Sequence, residues 1–92
     1  MDMGKALVKI KIMPESPDTP LGMIEEEAKK IVKKIAGTEA KIEEEPIAFG
    51  LKAVILQFMI DESIPLEGIE EKLKVIPSVS SIDIIDFRRA FG

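Results

Sequence analysis

The chain has no cysteine, histidine, tryptophan, tyrosine or asparagine, and Gln57 is its only glutamine. Without cysteine, neither a disulfide nor a thiolate metal site can form. Without histidine, no side chain has an ordinary pKa suited to general-base work near neutrality. Basic charge is also short: 13 Lys and Arg stand against 17 Asp and Glu, a net charge of −4. Nucleic-acid binders need the opposite balance to neutralise phosphates, so no direct nucleic-acid partner is expected. The longest apolar stretch, AVILQFMI, is interrupted by Gln57 and falls far short of the ~20 residues that cross a bilayer. The opening MDMGKALVKIKI has no apolar core followed by a small-residue cleavage site. A cytoplasmic protein with no membrane association is therefore expected. The missing thermolabile residues, beside abundant Glu and Lys, match a composition enriched in hyperthermophile proteins.

What is present is enough for one domain spanning residues 1–92, with 46% apolar residues for its core. KALVKIKIM (5–13) alternates Ala6, Val8, Ile10 and Ile12 against lysines, the period of a half-buried strand. PESPDTP (14–20) is a turn segment, with Thr19 expected as N-cap and Pro20 as the first helical residue. Leu21, Ile24, Ala28, Ile31 and Ile35 then recur on one helical face. Glu25/Lys29 and Glu26/Lys30 are spaced as ion pairs on the outer face, and Gly37 supplies the stop.

TEAKIEEE (38–45) reads as an acidic edge strand. GLKAVILQFMID (50–61) is the strongest strand, with Val54, Leu56, Phe58 and Ile60 on one side. Pro65 is expected to open a second helix that carries Leu66, Ile69, Leu73 and Ile76 inward, and Pro77 ends it. VSSIDIIDF (79–87) is the last strand, with Ile82 and Ile84 inward. The predicted fold is α+β, a ferredoxin-like β-α-β-β-α-β sandwich with a four-stranded antiparallel sheet and both helices on one face. Strict alternation leaves Lys9, Lys11, Ile55, Gln57, Met59, Asp83 and Ile85 on the open face. Ile55, Met59 and Ile85 should form an apolar patch there, a surface suited to self-association or to a partner.

Fold does not give function, but several activities lack their residues. Base-stacking RNA binders need aromatics on the sheet, and the expected open face has none. Glu43, Glu44 and Glu45 alternate across a strand and do not converge as metal ligands. No cofactor and no metal is expected. Ser80 and Ser81 have no local partner that would activate a nucleophile. Phe49, in EEEPIAFG, is either a core pin or a residue held out for a partner, and a core role is the commoner fate of a phenylalanine.

EEEPIAFGLKAV resembles the signature region of the elongation factor 1-beta family in its short archaeal form. GKALVKIKIMPESPD is similar to that family's first strand and its Met-Pro-x-Ser-Pro turn. VSSIDIIDFRRA is similar to the family's closing pattern, with Ser81, Asp83, Ile84, Phe87 and Arg89 at the matching places. The resemblance covers essentially the whole chain. It implies a guanine nucleotide exchange factor without covalent chemistry, acting on GDP-bound elongation factor 1-alpha by disturbing its phosphate and magnesium site. In eukaryotic relatives the aromatic of the Pro-x-x-aromatic-Gly-aliphatic-Lys stretch contacts the GTPase's second domain. Phe49 stands at that place, between Pro46 and Gly50, with Lys52 following.

A terminal lysine of those relatives enters the magnesium site. Arg89 occupies that place here, and Arg88 beside it leaves the assignment open between the two. The partner-binding residues implied are thus Phe49, Lys52, Phe87, Arg88 and Arg89. A different class shares the same element order: the ACT-type ligand-sensing modules, which pair side by side. Against that alternative, no Gly-rich turn follows the first strand.

Overall fold

The alternation in KALVKIKIMP is realised as β1 (Lys5–Pro14), in which every second residue from Ala6 to Pro14 is buried. In the computed structural model, which describes residues 4–89, β1 leads into α1 (Leu21–Ala36), β2 (Lys41–Pro46), β3 (Lys52–Asp61), α2 (Glu67–Lys74) and β4 (Val79–Arg89). The strands form one antiparallel sheet in the order β2-β3-β1-β4. This is the expected ferredoxin-like α+β arrangement, with β2 and β4 as its edges.

One side of the sheet makes the core. Val8, Ile10 and Ile12 of β1 meet Val54, Leu56 and Phe58 of β3 in register. Ile24, Ala28 and Val32 of α1 and Ile69 and Leu73 of α2 cover them, all without exposed surface. Each buried Val, Leu or Ile side chain among them contributes about 1.5–3 kcal/mol by leaving water. Val32 belongs to this face as fully as Ala28, while Leu21, Ile31 and Ile35 pack at its margin. Ile82 and Ile84 likewise pack half-buried against the core.

The helix ends differ from expectation in detail. Pro20 is extended at φ −73°, ψ 103° and occupies the N-cap itself, so α1 begins at Leu21. Thr19 makes no cap because its hydroxyl accepts the Ser16 N–H at 3.2 Å within the preceding turn. Similarly, α2 begins at Glu67 with Leu66 at its N-cap, two residues after Pro65. Gly37 does end α1, left-handed at φ 75°, donating its N–H to Val32 and Lys33 carbonyls. On α1 the ion pair observed is Glu27–Lys30 at 3.6 Å, one helical turn, instead of the two expected i,i+4 pairs.

The open face departs further. Lys11 Nζ lies 3.7 Å from Glu45 Oε1. This pair links β1 to β2 across β3, on the side that carries Ala53 and Ile55. Both are buried although no helix covers them, since the aliphatic stems of long charged side chains shield apolar surface. Ile55 and Ile85 do line one shallow cleft on this face with Lys9 and Glu43, but with Ile55 nearly covered and Ile85 exposed the expected apolar patch is smaller than alternation alone suggests. No helix among the described residues is long and apolar enough to cross a membrane.

Candidate functional site

The β2–β3 connection is a hairpin closed after the Pro46–Lys52 pair. Ile47 N–H donates to Leu51 O at 2.7 Å, and Leu51 N–H donates to Ala48 O at 3.3 Å. The short 3-10 turn Ala48–Gly50 has φ 63°, ψ 31° at Phe49 and φ 77° at Gly50. Two successive residues at positive φ are the signature of a type I′ turn, whose central positions favour Asn-Gly or Gly-Gly. Gly50 meets this demand without strain. Phe49 does not: a bulky residue in the left-handed region costs on the order of 1–2 kcal/mol. Its ring gains no packing in exchange, because it is 93% exposed. The core-pin reading of Phe49 is thereby overturned. Lys52, also exposed, stands on the first rung of β3 beside the same turn.

Beneath this corner two carboxylates meet. Glu44 of β2 faces α1, and Glu25 of α1 reaches it. Partial burial, then a hydrogen bond shared with Glu44 and repulsion by its charge, push the Glu25 carboxyl above its ordinary value. Folding therefore favours protonated Glu25. That contribution is complete below the ordinary glutamate pKa and is lost as pH rises through the raised one. Glu25→Gln keeps a donor to Glu44 and carries no charge. The variant is expected to melt a few degrees above the wild type at neutral pH. The difference should shrink towards zero below about pH 4. Thermal melts across this range check it, and a pH-independent difference would mean that the two carboxylates do not interact.

The basic end lies elsewhere. Arg89 pairs with Ala6 at the start of β1, whereas Val54, near the Phe49 turn, pairs with Ile12. The step from Ala6 to Ile12 alone spans about 20 Å at strand rise. The residues singled out from sequence thus form two groups, at opposite ends of the sheet. Phe49 and Lys52 make one, and Phe87, Arg88 and Arg89 make the other.

A β-bulge decides how the second group is aimed. In β4, Asp86 pairs with Lys9 but Ile84 pairs with the next residue, Ile10, which leaves Ile85 as the extra residue. Strict alternation would place Phe87 and Arg89 on the open face with Asp83. The bulge reverses them: Phe87 pairs with the inward Val8 and Arg89 with the inward Ala6, while Arg88 pairs with Leu7 on the open face. The two arginines point to opposite sides of the sheet. Arg88 is engaged on its own strand, its Nε donating to Asp86 Oδ1 at 3.2 Å. Arg89 Nε lies 2.8 Å from Glu62 Oε2, with its side chain 72% exposed. Half-exposed Phe87 and Arg89 border an open cleft with Ile60, Ile64 and Leu66.

Two features of this end escaped the sequence reading. The doubled aliphatic Ile84-Ile85 was the available sign of a slip in alternation. Glu62 carried no local signal, because its significance depends on a residue 27 positions later being folded against it.

A family model described as the EF-1 guanine nucleotide exchange domain matches residues 7–90. The chain is similar to proteins named elongation factor 1-beta from three archaea, among others. It is 42% identical over 88 residues to that of Methanosarcina barkeri, covering 95% of this chain and 99% of the relative. It is 43% identical to that of Methanothermobacter thermautotrophicus, covering 95% and 98%. With that of Nanoarchaeum equitans it shares 39% over 82 residues, covering 88% and 100%.

Proposed function

The chain belongs to the EF-1 guanine nucleotide exchange domain family, and from that premise we propose that it promotes exchange of GDP for GTP on elongation factor 1-alpha. It binds the GDP-bound GTPase and disturbs its phosphate and magnesium site, with no covalent step of its own. The observation that carries this reading is Phe49, almost wholly exposed on a strained left-handed backbone. Strain kept at a solvent-facing aromatic has no use in the isolated domain, and such outliers gather at binding sites.

Phe49 serves as the anchor, set on a rigid turn so that little ordering entropy is lost on binding. Lys52 adds a cation beside it. At the other end, Arg89 supplies positive charge to the phosphate and magnesium site, with Phe87 against the same partner surface. Arginine retains the charge of the family's terminal lysine and adds a planar fork that suits phosphate and carboxylate oxygens. Two contact points about 20 Å or more apart give the factor leverage over a partner built of several domains. A factor that prefers the nucleotide-poor GTPase must lose affinity when nucleotide rebinds, by the same coupling free energy.

Release of a fluorescent GDP analogue from elongation factor 1-alpha, chased with unlabelled nucleotide, tests the proposal. Adding the chain should accelerate release by at least about tenfold, equivalent to about 1.4 kcal/mol off the barrier. An unchanged rate at every concentration of the chain would refute it.

A further inference from the structure

Glu62 follows β3 in the short connection to α2, and its backbone is held on both sides. Its N–H donates to Gly4 O at 2.9 Å. Asp61 Oδ1 accepts the Ser63 N–H at 2.9 Å and the Ser63 hydroxyl at 2.8 Å, which fixes the turn that follows. The Glu62 side chain retains 25% exposure, but its Oε2 is shut off from solvent and accepts no aligned hydrogen bond among the described residues. Arg89 Nε stands 2.8 Å from that oxygen in a contact that is ionic without being a directed hydrogen bond.

The arginine reaches Glu62 past the start of β1. Arg89 pairs with Ala6 on one side of β1, and Asp61 pairs with Lys5 on the other. Ala6, with only a methyl group, leaves the way clear on the helix side. The bulge at Ile85 is what brings Arg89 to this side.

A desolvated carboxylate oxygen without a donor is unfavourable unless a cation stands beside it. We propose that Glu62 is a positioning residue for exchange, holding the Arg89 guanidinium in the free protein and surrendering it to the oxyanions of the bound GTPase. This rests on the reading of Arg89 given above. Phosphate and carboxylate oxygens of the partner are chemically equivalent to the Glu62 carboxylate, so both compete for one cation. The transfer occurs within the complex, and the hold of Glu62 on Arg89 belongs to its starting state. Glu62 retakes the arginine as the complex dissociates.

The test is a cycle of Glu62→Gln, Arg89→Ala and the double variant, read by stimulated GDP release as a function of factor concentration. Nitrogen-15 relaxation of the Arg89 Nε–H is measured alongside. Glu62→Gln should raise the plateau release rate by about two- to fivefold, the range open to a partly exposed ion pair, with an unchanged half-saturating concentration. In the Arg89→Ala background the same substitution should have no effect. Arg89 Nε should be ordered in the wild type and mobile in Glu62→Gln.

Equal effects of Glu62→Gln in both backgrounds, or a shift confined to half-saturation, would mean that Glu62 acts through its own charge and would overturn the proposal. Equal mobility of Nε in the two proteins would overturn the holding contact itself, whatever the exchange rates. Wild-type exchange by Arg89→Ala, with Nε still ordered by Glu62, would instead remove Arg89 from exchange and Glu62 with it, while the contact stands.

Discussion

Arg89→Ala is expected to lower the plateau rate of stimulated GDP release by about tenfold or more, since a charge-assisted contact contributes about 1.5–3 kcal/mol. A guanidinium close to bound magnesium competes with the ion for the same phosphate and carboxylate oxygens. Raising magnesium should therefore inhibit the wild type more strongly than Arg89→Ala. Arg89→Lys should retain much of the activity because the charge is kept, although the fork is lost.

Arg88→Ala is the discriminating control. The two arginines are sequence neighbours with opposite orientations, Arg88 on the open face beside Asp86 and Arg89 on the helix side beside Glu62. If the helix side meets the magnesium site, Arg88→Ala leaves the plateau within about twofold, as befits an exposed ion pair. A larger defect in Arg88→Ala than in Arg89→Ala would assign the role to the open face.

Phe49→Ala is expected to weaken association by about 2 kcal/mol or more, roughly 30-fold, as truncation of an anchoring aromatic does. The fold should not suffer, because the ring touches little of its own domain. Phe49→Gly makes a sharper case. Glycine adopts φ 63° without strain, so this variant should be more stable than the wild type by about 0.5–1 kcal/mol, after allowing for the extra freedom of its unfolded chain. It should also bind the GTPase as poorly as Phe49→Ala. Denaturant unfolding and a binding titration check the two halves. A loss of stability in Phe49→Gly would show that the ring supports the turn and is not held there for a partner.

Much of this was legible in the sequence, for reasons that differ by element. β1 and β3 alternate cleanly because one face is wholly buried, and burial fixes strand register. Gly37 ended α1 as expected because a left-handed cap demands a residue without Cβ. Thr19 misled because its hydroxyl found a nearer use in the Ser16 turn, the usual competition between local hydrogen bonds and caps. β4 misled more seriously. Counting by twos from Ile82 gives the wrong face for every residue after the bulge, and that stretch contains Phe87, Arg88 and Arg89. Bulges recur where a side chain must be re-aimed, and the duplicated isoleucine was the only trace of it. Phe49 was ambiguous in sequence because Pro and Gly neighbours mark a turn without fixing the sign of φ at the residue between them.

In the proposed mechanism the two ends of the sheet do different work, Phe49 holding the GTPase and Arg89 acting on its nucleotide site. The most direct test is the dependence of GDP release rate on factor concentration for the wild type, Phe49→Ala and Arg89→Ala. Phe49→Ala should reach the wild-type plateau at a half-saturating concentration about 30-fold higher. Arg89→Ala should saturate near the wild-type concentration but at a plateau lower by about tenfold or more. If both variants lowered the plateau alike, or both only shifted half-saturation, the division of labour between the two ends would be contradicted.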